Sequence, residues 1–310
     1  MPATSIEAAP IEVIDAHHHL WQPGAGRYPW MQAGNSKFMG DPAPVCTNYE
    51  MADFCAEAVS AGVDLKASVH LQCGRDVTDP LVETAWIQQQ ADAARHPIAI
   101  IGYGNPALPD FDALLDRHAA YPGFRGIRHM LNWGETERYR LCDRGDYMQD
   151  AAWLAGLRRL GTRGYSFDLQ INVWQLEEAA IAARALPELR IILNHAGMPF
   201  EYRDAGLGVW RRGIAALAAC PNAAAKFSGL GMVDPAWDVA SVRPLFDFML
   251  EKFGPARLMF ASNFPIDRLY GSYGRVYDAY RALAADLSAE ESRALFLDTA
   301  QAIYRPALSA

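Results

Sequence analysis

The chain has 310 residues, 51% apolar and 21% charged, with a formal net charge of −8 and an isoelectric point near 5.5. That length suits one barrel-sized domain or two smaller ones, and the 28 dispersed Lys and Arg leave no basic footprint for nucleic acid. Five cysteines without a CxxC pair argue against a disulfide scaffold or a thiolate zinc knot, and with no leader-like start and no long apolar run the expectation is a cytoplasmic protein without a membrane partner.

Short apolar runs rich in β-branched residues alternate with longer alanine- and leucine-rich stretches. Strands are predicted at 11–17 (IEVIDAH), 66–72, 97–103, 124–129 (FRGIRH), 164–170, 190–196 (RIILNHA), 223–229 and 256–262 (ARLMFAS). Between them, Thr47 and Glu50 have the spacing of a capping box ahead of a face of Met51, Phe54, Cys55 and Ala58, and Asp79-Pro80 is a second helix start. Further helices are predicted over 148–160, ending at Gly161, then 173–186, 210–219, 239–253 and 272–286. Each parallel return to one sheet needs a crossover, so eight such units without a linker-like break predict an α/β fold, a (β/α)8 TIM barrel over 1–310 as one domain. The doubly wound alternative lacks its phosphate-binding glycine motifs. The turn-rich stretch 24–48, with Tyr28 and Trp30, would lie over the C-terminal mouth as a lid or as a packed loop.

The run VIDAHHHLW, 13–21, places three histidines at the end of the first strand. If that strand runs through Asp15, His17 and His19 share a face while His18 turns away. The pair could meet a metal or substrate, or one ring could cap a neighbouring carbonyl. His195 in LNHAG and His129 in IRHM also end strands, so five of the eight histidines fall where barrels keep their active sites, and His70, His96 and His118 are left as packing residues. Arg125, Arg128, Asp168, Lys226 and Asp267 are expected at the same rim. Arg128, beside His129, could grip a carboxylate with both arms or tie Asp15 or Asp168 into the rim. Asn263, in ASNFP, can orient a water or a carbonyl but cannot act as a base.

Taken in order, IDAHHHLW, YPW, GIRH, FDL, NHAG, FSGL and FASNFP resemble the amidohydrolase superfamily, in the amidohydrolase-related branch that holds the sugar-acid lactonases (L-fuconolactone, L-rhamnonolactone) and 2-pyrone-4,6-dicarboxylate lactonase. The likeness runs from Val13 to about Tyr304. It implies a distorted barrel that hydrolyses lactones, with His17 and His19 as the paired histidines of the first strand, Arg128 as the substrate-binding arginine and His195 as the histidine after the sixth strand. Where that pattern has Ser-Asp-x-Pro, this chain reads Ser262-Asn263-Phe264-Pro265, so an amide replaces the carboxylate that binds metal and activates water. The cofactor is then none, or one divalent metal, zinc or manganese, on His17, His19 and His195.

The expected enzyme is a lactonase-type carboxylic ester hydrolase acting on a small acidic lactone. His17 and His19 would polarise the ring carbonyl; Arg128, His129, Tyr28, Trp30 and Asp168 would bind substrate; His195 or Asp267 would take the proton from water; Asn263 would place that water, and Asp15 would orient His17 or His19 from behind. The alternatives are a metal-dependent non-oxidative decarboxylase or hydratase of an aromatic or unsaturated acid, and a metabolite-binding barrel without catalysis. A homo-oligomer is common among such barrels, yet the stripe of Tyr273, Val276, Tyr277 and Tyr280 reads as a packed helix face.

Overall fold

The computed structural model describes residues 10–31, 37, 39–75, 78–200 and 207–308. Eight parallel strands stand side by side in chain order: β1 (Ile11–His18), β2 (Val63–Leu71), β3 (Ile98–Tyr103), β4 (Phe124–Met130), β5 (Ser166–Gln170), β6 (Arg190–Leu193), β7 (Ala223–Phe227) and β8 (Leu258–Phe260). The helices α1 (Met51–Ser60), α2 (Leu81–Ala94), α3 (Phe111–His118), α4 (Ala151–Thr162), α5 (Leu176–Arg184), α6 (Leu207–Ala218), α7 (Leu230–Val233), α8 (Val239–Phe253), α9 (Tyr273–Leu283), α10 (Ala289–Arg293) and α11 (Thr299–Tyr304) follow in turn. This is the expected (β/α)8 barrel. Its ends meet just past β1 and β8, where His19 N–H donates to Phe264 O at 2.7 Å and Asn263 N–H donates to His17 O at 2.8 Å. Among the described residues no helix is long and apolar enough to cross a membrane.

Several boundaries differ from the sequence expectation. The first helix is capped three residues later than Thr47, at Glu50, with the Asp53 carboxylate accepting from Glu50 N–H at 2.9 Å. Gly161 lies inside α4, which starts after Asp150 has capped the N–H groups of Ala152 and Trp153. Helix α3 and the C-terminal pair α10 and α11 were not anticipated. Parts of the 24–48 stretch, residues 32–36 and 38, lie outside the described residues.

The inner face of the barrel starts conventionally, with Ile14 and Ala16 meeting Ala67, Val69, Ile101, Ile192, Ala224 and Met259. The β1–β2 register then shifts: Asp15 opposes Ser68, but His18 opposes His70, three steps against two. Such a bulge reverses the in–out alternation, because side chains alternate with a period of two. His17 and His19 therefore follow Ala16 to the inside, and Asp15 is left on the outer face beneath α9.

The C-terminal helix seals the other end. Leu297, Ala300, Ile303 and Tyr304 join the barrel interior. Tyr304 OH reaches both oxygens of Asp168, at 2.9 and 3.1 Å, and Lys226 Nζ lies 2.6 Å from Asp168 Oδ1. Burial pushes the Lys226 ammonium down to about 8 against the attraction of Asp168. A buried ion pair closed by a phenol thus forms a polar layer inside an otherwise apolar barrel.

Candidate active site

A pocket opens at the C-terminal ends of the strands. Its polar lining is His19, Arg128, Gln170, His195 and Asn263, with Lys37 at the rim; Trp21, Trp30, Met39, Cys73, Met130, Leu141, Met232 and Ile266 complete it. Trp30, Lys37 and Met39 come from the stretch after β1, which therefore walls the mouth.

The histidines meet through the bulge. His19 Nδ1 lies 2.7 Å from Leu71 O, which can only accept, so that nitrogen carries the proton and Nε2 is left as an acceptor. His17 Nε2 stands 3.3 Å from His19 Nε2 and donates to it, while the His17 ring packs 4.4 Å from that of His195. His195 Nδ1 is 3.1 Å from Ser228 Oγ. Burial first, then the positive neighbours Arg128 and Lys226, hold His17 and His195 well below the usual imidazole range; His19 is lowered by burial and Arg128. All three rings are neutral at pH 7. His18 faces the other way, stacked on Phe54 at 4.2 Å.

Two turns fix the outer members. His195 and Asn263 both adopt left-handed backbone, φ 53° and 58°, strained for non-glycine residues. Opposite His195, Gly229 has φ 66°, and a Cβ there would stand 2.6 Å from His195 Nδ1. Only glycine lets the imidazole lie so close to that loop. Asn263 donates from Nδ2 to Met232 Sδ at 3.7 Å.

Arg128 is buried and already engaged. Its Nη1 donates to Gln170 Oε1 at 2.8 Å and its Nη2 donates to Gln72 O, so the fork is not open for a two-armed grip on a carboxylate; the buried Nε has no partner. Burial lowers its pKa to about 10, which still leaves it charged at pH 7.

Other expected residues lie elsewhere. Asp15 does not reach an imidazole: on the outer face it accepts from Ser262 N–H at 2.9 Å, Tyr273 OH at 3.1 Å and His17 N–H at 3.2 Å. His129, next to Arg128 on β4, turns outward by the period of two and packs against Tyr147 and Trp153. Asp168 precedes Gln170 by two residues and belongs to the polar layer with Lys226 and Tyr304, not to the pocket lining. Tyr28 accepts from Gln22 N–H and Arg75 Nη1, each at 3.1 Å, behind the wall. Arg125 is at the opposite end of β4, held by the carbonyls of Pro122 and Arg305. Asp267 is buried behind Asn263 and Gly229, and burial raises its carboxyl to about 8, so it is mostly protonated at pH 7. Gln72 and Gln170 were missed; Gln170 was legible as the inward residue two beyond Asp168 in SFDLQ.

The donor set does not match a catalytic zinc site. The 3.3 Å between His17 and His19 Nε2 is near the edge length of a tetrahedron with Zn–N bonds of about 2.0–2.1 Å. Among the described residues no third His, Cys, Asp or Glu ligand atom lies within 4.8 Å of both. Among the described residues, the trio whose ligand atoms lie within 4.8 Å of one another is His70, Cys73 and Glu83. There Glu83 already accepts from His70 at 3.0 Å and from the N–H groups of Cys73 and Arg75 at 2.6 and 2.9 Å, which ties the β2–α2 loop together.

The amidohydrolase family profile matches residues 14–305. The chain is 38% identical to an uncharacterized protein of Sinorhizobium fredii, covering 95% of this chain and 99% of that one. It is 31% identical to an L-fucono-1,5-lactonase of Burkholderia multivorans, covering 94% and 95%. A crystal structure of an amidohydrolase from Burkholderia multivorans with bound zinc superimposes with a TM-score of 0.78 at 29% identity, covering 95% of this chain and 99% of that one.

Proposed function

The chain belongs to the amidohydrolase family, and from that premise we propose that it hydrolyses a small acidic lactone by attack of water on the ring carbonyl. The observation that carries this reading is one pocket lined by a neutral imidazole, an arginine and an amide, His195, Arg128 and Asn263. The lactonase relative supports the same class of reaction.

In this mechanism His195 donates Nδ1–H to Ser228 and keeps the Nε2 lone pair for water. Asn263 orients that water. As the oxygen–carbon bond forms, the proton passes to His195 Nε2 and negative charge grows on the carbonyl oxygen, facing the Arg128 charge and its unpaired Nε–H. The ring C–O bond then breaks, and the departing alkoxide takes the proton back. The hydroxy acid ionises on release, so each turnover liberates one proton. Arg128 and Lys37, the cations that the described residues bring to the lining, favour a substrate that carries a negative charge. His17 bonds to His19 and so fixes the ring that borders the substrate. Because the donor set falls short of a three-ligand metal site, no step is assigned to a metal.

Proton release in weak buffer, with a panel of lactones bearing one carboxylate, tests the reading. Steady release dependent on the protein is the expected result. Unchanged ligand across the panel, or carbon dioxide in place of acid, would overturn it.

A further inference from the structure

The wall of the pocket differs in character from its floor. Trp21, Trp30, Met130, Leu141, Met232 and Ile266 present carbon and sulfur to the space above the histidines. Where these walls carry a polar atom, it is already used. Trp21 Nε1 donates to Val45 O and Thr47 O, each at 3.0 Å, and Trp30 Nε1 donates to Cys73 O at 2.6 Å. Cys73 Sγ–H turns to Leu20 O at 3.5 Å, and Met232 Sδ accepts from Asn263. At the rim, Lys37 Nζ is held 3.1 Å from Glu137 Oε1. Among the described residues, the free hydrogen-bonding capacity is therefore gathered at the floor, on His195, Arg128, Gln170 and Asn263.

A ring hydroxylated on every carbon places hydroxyls on all sides. Those on the wall side would leave water without finding a partner, and an unsatisfied buried hydroxyl is penalised. An alkyl or aryl flank would instead be favoured by the area it removes from water. Resting on the lactonase reading above, we propose that the substrate is a lactone whose carbonyl and acidic end is polar and whose opposite flank is hydrocarbon, so that polyhydroxylated aldonic and aldaric lactones are poor substrates.

Two γ-lactones of equal charge separate these classes: a γ-butyrolactone carboxylate bearing an alkyl chain, and a hydroxylated aldaric monolactone. The expected kcat/KM, from indicator-monitored proton release, is at least ~10-fold higher for the alkyl lactone. In Leu141→Asn or Met130→Gln, two partly exposed wall positions, that preference should shrink by about tenfold while the hydroxylated lactone gains or holds. Equal or faster turnover of the hydroxylated lactone by the unaltered protein would overturn the proposal. Should neither ring be opened, the lactonase reading fails, and binding of the matching unreactive lactams, read from tryptophan fluorescence, decides separately: tighter binding of the alkyl lactam upholds the apolar flank, and tighter binding of the hydroxylated lactam overturns it.

Discussion

His195 and Asp267 were the two groups expected to receive a proton, and their environments push them in opposite directions. Burial and the charge of Arg128 keep His195 neutral, whereas burial raises Asp267 to about 8. A base of the first kind gives a kcat/KM that is level from about pH 6.5 to 7.5; a base of the second kind gives a tenfold rise per unit up to about pH 8. The level profile is expected, and Asp267→Asn should retain it. His195→Asn should lower kcat by about 10²-fold or more, the usual worth of a positioned general base. If instead the profile climbs to pH 8 and Asp267→Asn removes the climb, the carboxyl is the base. Gly229→Ala tests placement: its Cβ would collide with the His195 ring, so kcat should fall about tenfold or more.

At the scale of elements, the strand bulge decides which histidines serve the pocket. The expectation that His17 and His19 share a face, with His18 turned away, agrees with the structure. The carboxylate expected to orient them, Asp15, does not, since one extra residue in β1 puts it on the other face. Bulges depend on backbone pairing between distant strands and leave no local signal in composition. For the same reason His129 and Arg128 could not both face inward on β4, and that was legible from the period of two alone. The helices α10 and α11 were hidden because α10, AEESR, buries no residue and α11 spans only six residues, too short for an apolar stripe to show its period. Their anchor predicts a cost. Lys226→Met leaves Asp168 buried without its cation and should destabilise the fold by about 3–5 kcal/mol in chemical denaturation. The double variant Lys226→Met with Asp168→Asn should recover much of that loss, because no net charge is then stranded.

For the whole molecule, linkage between protonation and folding gives the pH of greatest stability. His17, His18, His19 and His195 are buried with lowered pKa, so below about pH 6.5 the unfolded chain binds protons that the folded chain does not, and stability falls as the pH drops. Asp267 acts oppositely: with its pKa raised by burial, its contribution is fully present below the unfolded carboxyl pKa and is lost as the pH rises through about 8. Between about pH 4 and 8, below the range in which Lys226 titrates, thermal unfolding should therefore show a maximum near about pH 6.5, with the steeper side on the acid flank. Divalent metal offers a second whole-molecule test. Because among the described residues His17 and His19 lack a third His, Cys, Asp or Glu ligand in common, activity should survive dialysis against a chelator, and added zinc should raise the melting temperature by no more than a degree or two at micromolar concentration. Loss of turnover on chelation, restored by zinc, would show that the pair recruits its missing ligand on binding.

The seam of the barrel runs through the chemistry, since His17 and His19 pair their backbones with Asn263 and Phe264 across the join of the first and last strands. Catalytic competence is consequently a property of the sealed ring. A polypeptide still emerging from the ribosome cannot bring these residues together until β8 has been made, and two halves expressed apart would each carry an incomplete constellation. Turnover can then serve as a count of correctly closed molecules during refolding, and reassembly of separately produced halves could be followed by the return of product.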